Sequence, residues 1–204
     1  MPAKNPDLHG NAPDTCEAAL LLIDVINDLE FPGGRAMLAP ALRAARRIAA
    51  LKSRARKARV PVIYANDNFG RWRSNFADVV EHCLNDGVRG QPIAELLAPD
   101  HDDYFVLKPK HSAFYATTLE TLLGYLKTRR LVIMGYAGDA CVLMTAADAY
   151  MRDVEIYVPS DCTASKSPAE NRKALQYMKR VLHADTRPSG KLDLAKLARR
   201  QAGR

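Results

Sequence analysis

Three residues of this chain have both the chemistry for covalent hydrolysis and positions from which to deliver it: Cys141, Asp24 and Lys108. Each stands at or just beyond the end of a short apolar run. Cys141 follows Leu131-Val132-Ile133-Met134-Gly135 through the loop Tyr136-Ala137-Gly138-Asp139 and opens a helical pattern containing Val142, Met144 and Ala146. A cysteine in the first turn of a helix feels the positive end of the macrodipole and its unpaired N–H groups, which favour thiolate. Asp139 is the expected N-cap. Asp24 closes the run 19–23, where desolvation would raise a carboxylate toward a useful base. Lys108 follows the run 104–107, and Pro109 turns the chain out behind it. Each residue also has a plainer reading: a small buried hydrophobe, a loop or helix cap, and a stem that snorkels to solvent. Together they make an acyl-transfer set of thiolate, proton-moving carboxylate and cation. No histidine sits at a comparable strand end, so aspartate would take histidine's usual role.

Short β-branched or aliphatic runs alternate with helical patterns along the chain, as in βαβ units feeding a parallel sheet. The runs predict strands near 19–24, 60–65, 103–107, 131–135 and 154–158, with a weaker sixth near 183–186. Helices are expected near 38–58, 75–85, 118–127, 140–151 and 168–182. The last opens with Ser167-Pro168-Ala169-Glu170, a capping box with proline at the first helical position. The expected fold is a three-layer α/β/α architecture around a doubly wound, mostly parallel sheet of about six strands. In such sheets the ligand crevice lies beyond the carboxyl ends of the strands, where all three candidates fall. The expected organisation is a loose leader over 1–17, one domain over 18–187 and a basic tail over 188–204.

A chain of 204 residues, 48% hydrophobic and 26% charged, suits one globular core. No apolar run approaches the roughly 20 residues needed to cross a bilayer, and the N-terminus lacks the apolar segment of a signal peptide. A cytoplasmic protein without a membrane partner is expected. Cys16, Cys83, Cys141 and Cys162 form no CxxC pair, which argues against a zinc ribbon or redox motif and fits reduced thiols. The net charge of +7 is concentrated: residues 43–59 hold eight Arg or Lys and no acid, and the stretch from Lys191 holds five against Asp193. The first stretch reads as an amphipathic helix with Leu42, Ala45, Ile48, Ala49, Leu51, Ala55 and Ala58 near one face. It is taken as a solvated face rather than a nucleic-acid surface. The segment after the second predicted strand carries Phe69, Arg71, Trp72 and Arg73. It suits either a cover that stacks a flat substrate and binds its carboxylate, or an oligomer contact.

The motifs LLLIDVINDLEFPGG, VLKPKHSAFYATTLETLL and VIMGYAGDACVLMTAADAYMRD, the last followed by VEIYVPSDCTAS, resemble the isochorismatase-like cysteine hydrolases, which include nicotinamidases and N-carbamoylsarcosine amidase. The resemblance covers roughly 19–187. It implies Asp24 as general base, Lys108 as charge-stabilising partner and Cys141 as nucleophile. It also implies a cis peptide at Tyr136-Ala137 and an oxyanion hole made by the N–H groups of Ala137 and Cys141. The implied activity is hydrolysis of a C–N bond, amide or carbamoyl, in a small molecule through a covalent Cys141 intermediate. Phe69, Arg71, Trp72, Tyr115 and Tyr136 are then the candidates to bind substrate. Ester or vinyl-ether hydrolysis is the alternative on the same scaffold, although isochorismatases proper do not rely on this cysteine. A non-catalytic regulatory protein using the basic helix is the reading from another class. The resemblance further implies a homo-oligomer, dimer or tetramer. The nicotinamidase branch binds a metal through one Asp and three His; here Asp67 and His82 give half such a site, so neither metal nor other cofactor is expected. Leu29 stands where many relatives carry phenylalanine, and Gly138 where threonine is common; both changes reshape the pocket.

Overall fold

The computed structural model describes residues 15–68 and 75–199. Five strands, β1 (Ala18–Ile23), β2 (Val62–Asp67), β3 (Tyr104–Lys108), β4 (Arg130–Tyr136) and β5 (Glu155–Tyr157), form a parallel sheet in the order β3-β2-β1-β4-β5. A short sixth, β6 (Thr163–Ala164), runs beside the end of β4. Every residue of β1 and β4 is buried, because a central parallel strand covered on both faces has no solvent side. Ala18, Leu20 and Leu22 face one core, shared with α1 (Gly34–Lys57), α2 (Phe76–Asn85), α3 (Gln91–Leu96) and α7 (Leu194–Ala198). Ala19, Leu21 and Ile23 face the other, with α4 (Leu119–Leu126), α5 (Leu143–Tyr150) and α6 (Pro168–Val181). The three layers and the parallel sheet agree with the sequence reading.

The chain winds outward from β1 to β3 and then crosses to β4 on the far side of β1. The strand order therefore reverses between β1 and β4, and the crevice opens at their carboxyl ends. Gly135 shows how closely these strands approach. It lies opposite Ile23, its φ is +121°, and a Cβ there would come 2.1 Å from the Ile23 carbonyl oxygen. Gly135→Ala should cost roughly 3 kcal/mol or more in a denaturant titration, through backbone strain and displacement of β1. A loss under about 1 kcal/mol would contradict this close approach.

Two expectations need correction. The sixth strand is not 183–186, which touches the sheet only through the single bridge between Tyr157 and Asp185. His183 has positive φ and Pro188 offers no N–H, so no ladder extends there. The edge is taken by Thr163–Ala164, which comes alongside β4 after Pro159 has led the chain out of β5. The basic helix is not simply a solvated face. Lys52 is buried, its Nζ 2.8 Å from Tyr64 Oη, 2.6 Å from Asp103 and 2.8 Å from Asp100. Arg54 donates to the carbonyls of Ser189 and Leu192, and Arg56 pairs with Asp100. A long stem can carry a charge through apolar packing when carboxylates or carbonyls wait at its end. The segment expected as a basic tail supplies Leu192, Leu194 and Leu197 to the core. No described helix is long and apolar enough to cross a membrane.

Candidate active site

β1 ends at Ile23, and Asp24 follows it with φ +51°, a left-handed conformation that aspartate tolerates better than most residues. Its N–H still donates to Ala65 O at 3.0 Å, so Asp24 turns at the rim of the sheet. There Oδ1 accepts from the Asp67 N–H at 2.7 Å and Oδ2 lies 2.8 Å from Lys108 Nζ. Lys108 is the last residue of β3, in register with Asp67, and its side chain is wholly buried. Its ammonium also reaches Lys110 O at 3.3 Å, Cys141 Sγ at 3.6 Å and Asp67 Oδ2 at 3.8 Å.

Cys141 arrives from the other side of the switch point. The peptide bond between Tyr136 and Ala137 is cis, and Gly138–Val142 then forms a π-helical turn leading into α5. Asp139 does not cap this turn: it is exposed, and its N–H donates to Ser165 Oγ at 3.2 Å. The wider π turn starts at Gly138, so Asp139 is already inside it and its side chain cannot reach the turn's first N–H groups. A Cβ at Gly138 would lie 2.0 Å from Asn171 Oδ1. Asn171, from α6, thus fills the room that a threonine at 138 would take. It accepts from Ser165 Oγ at 3.2 Å and donates to Thr163 Oγ1 at 3.2 Å. The nucleophile's turn rests on this polar bracket.

The sequence-predicted trio therefore converges. Asp24 and Cys141 act on each other electrostatically, and Lys108 touches both. Burial raises the Asp24 carboxyl above its ordinary range despite the pull of Lys108. Burial alone would lower Lys108, but Asp24, the Cys141 sulfur and Asp67 outweigh it and hold the ammonium charged. The surroundings work against the expected resting thiolate. Burial pushes the Cys141 thiol up to about 12, the Asp24 charge adds to this, and Lys108 only partly offsets it. The thiol therefore keeps its proton until Asp24, itself made more basic, takes it.

Other expected residues lie elsewhere. Along β4 alternate side chains take opposite faces, so Tyr136 follows Val132 and Met134 into the α1 layer, where its hydroxyl donates to Ala41 O at 2.7 Å. Cys141 belongs to the opposite core, so the Tyr136 ring and the thiol lie on different faces of the sheet. Tyr115 is 58% exposed on the loop after β3. Phe69, Arg71 and Trp72 lie outside the described residues. His82, on α2, directs Nδ1 to Asp86 Oδ2 at 2.6 Å and Nε2 to Asp28 Oδ2 at 3.5 Å. No three His, Cys, Asp or Glu side chains group as a metal shell among the described residues.

His111 was not anticipated. Its Nδ1 lies 3.5 Å from Cys141 Sγ, and the residue is exposed to solvent where the thiol is buried. The loop that carries it is fixed to the nucleophile's own helix, because the Ala113 N–H donates to Thr145 Oγ1 on α5 at 3.1 Å. Arg152 also stacks over Phe114 with 4.8 Å from its guanidinium carbon to the ring centre. Its signal in the sequence was its place three residues after Lys108, in a loop rather than at a strand end.

Comparison with known proteins agrees with this geometry. The isochorismatase family protein YaaI of Bacillus subtilis (strain 168) is 43% identical over 169 residues, covering 83% of this chain and 92% of that protein. The isochorismatase of the same organism is 30% identical over 171 residues, covering 81% of this chain but 54% of its own length. Among solved structures, N-carbamoylsarcosine amidase from Thermoplasma acidophilum superposes with a TM-score of 0.67 at 27% identity, over 87% of this chain and 99% of that one. The isochorismatase domain model matches residues 18–186, nearly all of the described chain, and the protein belongs to the isochorismatase family of hydrolases.

Proposed function

We propose that this protein is a cysteine hydrolase that cleaves an amide or carbamoyl C–N bond of a small molecule through a covalent intermediate on Cys141. The observation that carries this reading is the contact of Cys141 Sγ with Lys108 Nζ at 3.6 Å, while that ammonium is ion-paired to Asp24 at 2.8 Å. In the first half-reaction Asp24 takes the thiol proton as sulfur attacks the carbonyl carbon. The N–H groups of Ala137 and Cys141 receive the developing oxyanion, and Lys108 stabilises the charge passing between sulfur and carboxylate. The C–N bond breaks, the amine leaves protonated, and water releases the acyl group from sulfur. The structural likeness to an N-carbamoylsarcosine amidase supports a C–N substrate. The 30% identity to an isochorismatase favours the C–O alternative, but that reaction needs no sulfur placed between a carboxylate and an ammonium.

A panel of primary amides, ureides, carbamoyl compounds, esters and vinyl ethers separates the two readings. Ammonia or amine should be released from a member of the first three groups, with an acyl or carbamoyl adduct on the Cys141 peptide after rapid acid quench. Turnover confined to vinyl ethers, with Cys141 unmodified, would sink the C–N reading.

A further inference from the structure

Asp24 has little freedom to serve every proton transfer that amide hydrolysis requires. Its Oδ1 is held by the Asp67 N–H and its Oδ2 by Lys108, and its side chain is only 8% exposed. The leaving nitrogen and the incoming water must both pass on the open side. There the imidazole of His111 stands 3.5 Å from the sulfur, exposed to solvent, on a loop pinned to α5.

We propose that His111 is a catalytic residue that works the solvent side of Cys141, protonating the leaving nitrogen in the first half-reaction and taking a proton from water in the second. This rests on Cys141 being the nucleophile. The protons balance. The Cys141 proton goes to Asp24 as the C–S bond forms, and the imidazolium of His111 gives its proton to nitrogen as the C–N bond breaks. Water then attacks the thioester and passes a proton to the neutral imidazole. The C–S bond breaks, and sulfur recovers its proton from Asp24. Asp24 thus shuttles only the sulfur proton, and His111 the two that come from or go to solvent. The charged or titratable groups around the imidazole are Cys141 and Lys108, with Asp24 and Asp67 beyond them and Lys110 beside it in the chain.

p-Nitrophenyl acetate tests the second half-reaction directly, because nitrophenolate leaves without a general acid. Wild type should give a nitrophenolate burst followed by a steady rate that rises with pH. His111→Gln should keep the burst and its rate of Cys141 alkylation by iodoacetamide, accumulate acetylated Cys141, and lose about 100-fold in steady rate together with the pH-dependent limb. His111→Ala should recover part of that rate on addition of free imidazole. An unchanged steady rate in His111→Gln overturns the proposal. So does a parallel fall of burst, steady rate and alkylation, which would mean that His111 only holds the nucleophile in place. A burst that survives in Cys141→Ala, or is missing from wild type, would instead remove the nucleophile assignment, and with it the role of His111.

Discussion

Lys108→Met should lose at least about 1,000-fold in turnover and roughly 3–5 kcal/mol in stability, with the stability deficit growing from acid to neutral pH. Methionine matches the stem of the lysine, so the packing is kept and the charge is what disappears. The Asp24 side chain is 8% exposed and that of Lys108 is 0%, so the carboxylate has no water to replace its partner. Removing one member of such a pair strands the other, which is far costlier than the pair's net contribution. Asp24 is already raised by burial with Lys108 present, and without it will rise further. The sign follows from linkage. A carboxyl whose folded pKa lies above its unfolded value costs nothing at pH below both, and its penalty accumulates as pH climbs from the unfolded toward the folded value. Melting temperatures between about pH 4 and pH 8 should therefore diverge from wild type upward in pH, by about 2–4 °C per kcal/mol for a chain of this size. The same protonation explains the lost turnover, since a protonated Asp24 cannot take the thiol proton. A variant equally stable at both ends of that range would show that the pair is not buried as described.

The ease with which Asp24, Lys108 and Cys141 could be read from the sequence has a physical origin. A central parallel strand must be apolar throughout, so the first polar residue after the run marks the rim where the crevice opens. The runs ending at Ile23 and Gly135 are of this kind, the run ending at Leu107 is the edge strand β3, and the sheet order brings their ends together. His111 escaped because its position depends on tertiary contacts between its loop and α5, such as the bond from the Ala113 N–H to Thr145, which leave no periodic trace. The burial of Cys141 is hidden in the sequence for a related reason. The dipole argument sees only the local chain, whereas the thiol is buried against Asp24 from the end of β1 and Lys108 from β3, and that burial pushes it up. The strand's own alternation sends the Tyr136 ring to the α1 side, away from Cys141. Asn171 was invisible until Gly138 was seen to leave room for it.

Asp24→Asn should separate two properties that usually travel together: the thiol becomes more reactive toward iodoacetamide near neutral pH while turnover falls by about 1,000-fold. In wild type the Asp24 charge helps to keep the Cys141 thiol protonated, and Lys108 is satisfied by the carboxylate at 2.8 Å. Asparagine has the same shape without the charge, so the buried ammonium is left with the sulfur at 3.6 Å as a partner that can become an anion. Both changes lower the thiol's pKa, and the thiolate fraction rises. Most of the thiol still carries its proton, because its burial is unchanged, and no carboxylate remains to take that proton as sulfur attacks or to return it in the second half-reaction. General acid–base catalysis of this kind contributes about 100- to 10,000-fold. Alkylation should therefore quicken in the variant, with the label mapping to Cys141 by peptide mass, as hydrolysis collapses. Should alkylation slow along with turnover, Asp24 would be needed to generate the thiolate rather than to restrain it. Wild type that labels as fast as the variant would mean that the proton already resides on Asp24 in the resting enzyme.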